Sequence, residues 1–123
     1  MAITQAMCTS FKSEILQEGH NLATDTIKLA LFTSSASLGA GTTAYSTSNE
    51  VSGTGYTAGG VTLTSTTVST SGTTAFFDAD DPEFTSASFT ARGALIYNSS
   101  NSDKAIAVLD FGGDFTVSSG TFK

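Results

Sequence analysis

Two runs of consecutive apolar residues, Ala94-Leu95-Ile96-Tyr97 and Ala105-Ile106-Ala107-Val108-Leu109, are the densest in the chain, and the polar cluster 98–103 separates them. Each run is of strand length and the cluster consists of turn formers, so residues 91–113 predict a β-hairpin with a long tip. Neither run alternates apolar with polar positions. That pattern predicts strands covered on both faces, in the middle of a layer instead of at its edge.

The remaining elements are arranged around this hairpin. Ile27, Leu29 and Leu31 alternate with Lys28, Ala30 and Phe32, which predicts a strand over 26–32. Upstream, Thr9 or Ser10 serves as N-cap for a helix running to about Glu18, with Gly19 as its stop and Phe11, Ile15 and Leu16 on its inner face. Such a helix is too short to stand alone in water and requires docking. Residues 33–60 are rich in Ser, Thr, Gly and Asn and read as a long surface excursion, of the sort that tends to carry function, ending in the glycine-rich piece 53–60.

Further strands are predicted over 61–68 and 75–77, and Phe84 and Phe89 anchor the lead into the hairpin. An acidic turn at 78–83 contains the only proline, Pro82, and residues 111–114 read as another turn before a last strand at 115–122. The expectation is a mainly β chain: one antiparallel β-sandwich domain over 1–123, with an N-terminal arm (1–8), one short helix (9–18) and a long Gly/Ser/Thr-rich loop.

Composition narrows the classes. At 123 residues, 39% hydrophobic and 13% charged, the chain is sized for one core and too apolar to be disordered. A net charge of −6 disfavours nucleic-acid partners. Cys8 is the only cysteine, which leaves no internal disulfide and no Cys-cluster metal site, and fits assembly in a reducing cytoplasm. No stretch reads as a membrane span or a cleaved signal, so neither a membrane nor an export route is expected.

Candidate chemistry is sparse. His20 is the only neutral-pH base and sits in a helix-ending turn, Cys8 reads as buried or interfacial, and no nucleophile motif is present. Asp78, Asp80, Asp81 and Glu83 supply oxygen donors for a calcium ion but lack the EF-hand frame. The glycines of 53–60 are followed by no Lys and open no helix, so close chain contact explains them better than phosphate binding. Asn98-Ser99-Ser100 fits a glycosylation triplet but reads as a hairpin tip. Arg92, beside the apolar hairpin, needs a carboxylate, and Asp110 at the far end of the paired strand is the candidate for a structural ion pair. No catalytic residue, cofactor or metal is expected.

Three segments, 1–16 (MAITQAMCTSFKSEIL), 26–60 (TIKLALFTSSASLGAGTTAYSTSNEVSGTGYTAGG) and 91–113 (ARGALIYNSSNSDKAIAVLDFGG), resemble a family of small structural proteins of tailed-bacteriophage virions. The resemblance implies relatives that continue with one more apolar strand. It also implies a capsid decoration or cement protein, a homotrimer contacting the major capsid protein or other virion proteins, assembled in the host cytoplasm. Contact would then fall on the arm and the loop, through Met1, Ile3, Met7, Leu38, Tyr45, Val51 and Tyr56. An alternative is a tail-fibre or tail-tip module that binds host-surface carbohydrate through Tyr45 and Tyr56. A weaker third is a cell-wall glycan hydrolase using paired carboxylates of 78–83.

Overall fold

A computed structural model describes residues 3–16, 22, 25–64, 67–72, 74–79 and 84–122. The chain is mainly β with one short helix. In order the elements are β1 (Ala6–Met7), α1 (Thr9–Leu16), β2 (Ile27–Phe32), β3 (Val61–Thr62), β4 (Thr67–Ser71), β5 (Thr74–Asp78), β6 (Phe84–Asn98) and β7 (Lys104–Phe122). Five of them form an antiparallel sheet in the order β1-β7-β6-β2-β3, and β4 with β5 forms a separate two-stranded hairpin.

The two apolar runs fall on β6 and β7, the longest strands, and both are interior to the sheet. Their consecutive apolar residues are covered on both sides: Ala94, Leu95, Ala105 and Val108 are fully buried, and Tyr97 nearly so. The polar tip is built by Asn98, whose Oδ1 accepts from the Ser100 amide at 3.0 Å, while Ser102 and Asp103 take positive φ of 54° and 55° to turn the chain. Asn98 itself is buried, and its Nδ2 donates to Asp25 Oδ2 at 2.8 Å. That amide is committed inside the protein, which removes it as a glycosylation acceptor.

Three elements differ from the sequence expectation. The helix starts one residue early: the Lys12 amide donates to the Cys8 carbonyl at 3.3 Å, so Cys8 occupies the capping position and not Thr9 or Ser10. Tertiary pairing sets this start, because the Cys8 amide is itself held by the Ile106 carbonyl at 2.9 Å. Phe11 turns into the core as expected, but Ile15 is 38% exposed, and residues 17–20, which include Gly19 and His20, lie outside those described.

The strand expected over 61–68 is divided between β3 and β4, which belong to different sheets; the apolar period is already broken between Leu63 and Val68. The turn expected at 111–114 is no reversal. β7 runs through it as a bulge, with Gly93 opposite Asp110 and Ala91 opposite Phe115, so that four residues on β7 face Arg92 alone. Gly112, at φ 82°, supplies the left-handed residue that this insertion needs.

Candidate functional site

Register places Lys28, Ala30 and Phe32 of β2 on the same face as Tyr97, Leu95 and Gly93 of β6. Residues 33–60 lie across that face. One point of the loop is fixed at the outer edge of β7, where the Ala105 amide donates to Thr43 O and the Tyr45 amide to Asp103 O, both at 2.9 Å. Another is fixed at the far edge of β2, where Phe32 bridges Glu50 and the Val51 amide donates to Leu31 O at 2.9 Å. Between these two edges the loop must cross β6, and the Tyr45 ring lies stacked on Tyr97, with centroids 4.6 Å apart.

The side chain that closes this arrangement is Glu50. Its Oε1 accepts from the Tyr45 hydroxyl at 2.6 Å, and its Oε2 accepts from the Tyr56 hydroxyl and, at 2.8 Å, from the Gly59 amide. Tyr56 also takes a hydrogen bond from the Leu31 amide at 3.0 Å, and its ring packs on Phe84 and Phe89. Tyr97 donates to Gly59 O at 2.6 Å. A carboxylate with three donors holds both phenols protonated. Burial first, and then the bond to Glu50, pushes the Tyr45 and Tyr56 hydroxyls well above the usual phenol range. For Tyr97, burial followed by the charge of Asp103 raises the value to about 12.

The glycines nearby serve close approach. A Cβ on Gly60 would stand 1.9 Å from Leu29 O, and one on Gly53 would stand 2.5 Å from Ser88 O. Their lack of side chains lets the loop lie against β2 and β6. Beside the stacked rings a pocket of about 180 Å³ opens, with Phe32, Leu38 and Leu95 on its apolar side and Ser46, Ser48 and Asn49 among its polar lining.

The residues expected to form a partner surface are divided. Ile3 is 7% exposed and packs over Gly93, Val51 is 4% exposed, and both face the interior of this chain. Leu38 is half-buried in a parallel bridge with Ile3, which stitches the arm to the loop. Tyr45 and Tyr56 are half-buried in the Glu50 clasp. Met7, on edge strand β1, is 52% exposed, and Met1 lies outside the described residues. Phe115, beyond the β7 bulge, is as exposed as Met7 and packs edge-on with Phe111.

Arg92 Nε lies 3.3 Å from Asp110 Oδ1, and the same oxygen accepts from the Gly112 amide at 2.9 Å. The Gly112 bond first, and then Arg92, hold the Asp110 carboxyl below its ordinary value. The pair is thus the brace of the bulge. Cys8 is buried, and its thiol is pushed up by burial and then by Glu14. That is the opposite of what a reactive thiolate requires. Of the acidic turn, residues 80–83 lie outside those described; among the described residues no group of three or more His, Cys, Asp or Glu could hold a metal ion. No described helix is long and apolar enough to cross a membrane.

Glu50 is absent from the sequence-based candidates. A signal was available: it is the one charged residue between positions 33 and 60, placed between Tyr45 and Tyr56. No family model matches this chain, nor does any curated protein or solved structure.

Proposed function

We propose that this chain is a non-enzymatic structural protein of a tailed-bacteriophage virion, decorating or cementing the head shell through protein contacts. The observation that carries the reading is the display of apolar side chains, Met7 and Phe115, on strands of a braced β framework. Exposed apolar groups on rigid elements suit contact with other subunits, and repetition over a lattice multiplies modest affinities. The resemblance of the three sequence segments supports the same assignment and brings with it the shell protein as partner, grouping in threes, and assembly in the host cytoplasm. In this reading the five-stranded sheet and the separate β4–β5 hairpin are the two layers of a sandwich.

The geometry weakens the carbohydrate alternative, because its candidate rings, Tyr45 and Tyr56, are engaged by Glu50 and by neighbouring aromatics. Copy number in purified virions tests the proposal. Hundreds of copies on the head support decoration, whereas a few copies confined to the tail sink it.

A further inference from the structure

The Tyr45 and Tyr97 rings lie 11° from parallel with centroids 4.6 Å apart, so carbon atoms of one ring lie in contact range of carbon atoms of the other. Their hydroxyl ends meet at one place. Tyr45 donates to Glu50 Oε1 at 2.6 Å, Tyr97 donates to Gly59 O at 2.6 Å, and the Gly59 amide donates to Glu50 Oε2 at 2.8 Å. Stacked phenols with their oxygens at the same end carry their Cε carbons, the ring positions beside the hydroxyl-bearing carbon, next to one another. The rest of the chain leaves these rings as the place where a one-electron oxidation ends. The sequence has no Trp and three Tyr. Cys8 is buried with its thiol pushed toward the protonated form, which disfavours the readily oxidised thiolate. The third tyrosine, Tyr56, packs on Phe84 and Phe89, which offer no phenol to couple with.

We infer that Tyr45 and Tyr97 form an oxidative modification site, which a one-electron oxidant joins into an intrachain dityrosine. Each phenol gives one electron to the oxidant, and each hydroxyl loses its proton. The proton of Tyr45 passes to Glu50 Oε1 over the 2.6 Å bond and on to water, and that of Tyr97 follows through the same Glu50–Gly59 cluster. The two phenoxyl radicals share their unpaired electrons with the Cε carbons. One Cε–Cε bond forms there, the hydrogen on each of these carbons moves to the phenol oxygen beside it, and both rings are aromatic phenols again. The chain loses two hydrogen atoms in all. The link closes residues 45–97 into a covalent loop and fastens the excursion of 33–60 to β6, which restricts the unfolded chain. It does not depend on the virion reading.

The test oxidises the intact chain in dilute solution with flash-generated tris-bipyridyl ruthenium(III) and reads intact mass, dityrosine fluorescence and the linked peptides after proteolysis. The expected product is a single chain lighter by two hydrogen atoms, with Tyr45 joined to Tyr97. Tyr45→Phe and Tyr97→Phe, which keep the rings, each reduce its yield to background, as does unfolding the parent in urea, whereas Tyr56→Phe retains it. Glu50→Gln keeps an oxygen acceptor but takes no proton, and it lowers the yield per flash several-fold with a circular dichroism spectrum like that of the parent. No link, links only between chains, a link through Tyr56, an equal yield in urea, or a yield indifferent to Tyr45→Phe or to Glu50→Gln would each overturn the inference.

Discussion

The Tyr45 ring lies 11° from parallel with that of Tyr97, at a centroid distance of 4.6 Å. One ring belongs to the long loop and the other to the central strand β6. Because the Tyr45 hydroxyl also donates to Glu50, stacking and a carboxylate clasp act on the loop together.

Glu50→Ala removes the acceptor of three hydrogen bonds and leaves two phenols to find new partners. Bonds to a charged group contribute about 1.5–3 kcal/mol each, and part is recovered by water, so a loss of roughly 3 kcal/mol is expected. Urea denaturation should show a lower midpoint with an unchanged slope. Tyr56→Phe, which strands the Leu31 amide, should cost about 1–2 kcal/mol. A Glu50→Ala midpoint equal to that of the parent would exclude the clasp.

Two glycines with the same φ of 82° should behave differently when replaced by Ala. At Gly60 the added Cβ meets the Leu29 backbone, whereas at Gly112 it meets nothing within 4 Å. Gly112→Ala should cost only the left-handed penalty, about 1–2 kcal/mol. Gly60→Ala adds a backbone collision and should cost roughly 3 kcal/mol or more, with the chain around β2 and β3 displaced. Thermal melts of the two variants give the comparison directly, and equal losses would show that β2 yields to the loop.

The three tyrosines predict alkaline sensitivity. Each phenol is held protonated in the folded chain, so the unfolded chain releases its protons first as pH climbs past about 10. Their contribution is fully present below that pH and is lost as pH rises through the folded value, about 12 for Tyr97. Tyrosinate absorbance and unfolding should therefore rise together above pH about 10, near the ordinary phenol value. Tyrosinate forming in a chain that stays folded at ordinary phenol pH would contradict the clasp.

Asp110 acts at the other end of the scale. Its lowered value means that its contribution is present above the ordinary carboxyl range and is lost as pH falls through the folded value. Arg92→Gln should raise the Asp110 value only part of the way, since the Gly112 amide still donates to the same oxygen. Carboxyl-detected NMR titration of parent and variant measures this. A complete return to the ordinary value would make Arg92, not Gly112, the main cause.

By itself the sequence determined the β character, the central hairpin and its tip. Ala94 to Tyr97 and Ala105 to Leu109 are apolar at consecutive positions, and such runs gain stability only where both faces are covered; Asn98, Ser102 and Asp103 are residues that turn a chain. Arg92 and Asp110 were also legible, because two charges beside apolar strands gain from pairing. Tertiary structure alone decided the rest. Whether 111–114 reverses the chain or bulges depends on whether β6 continues opposite it, and that is a long-range fact. The helix start at Cys8 was set by Ile106, nearly a hundred residues away in sequence. The loop of 33–60 looked solvated because its side chains are small and polar, yet its backbone bonds to both β2 and β7, and Glu50 draws in the tyrosines that local pattern had assigned to a partner. Periodicity reports which residues seek cover; it does not report whether that cover comes from the same chain.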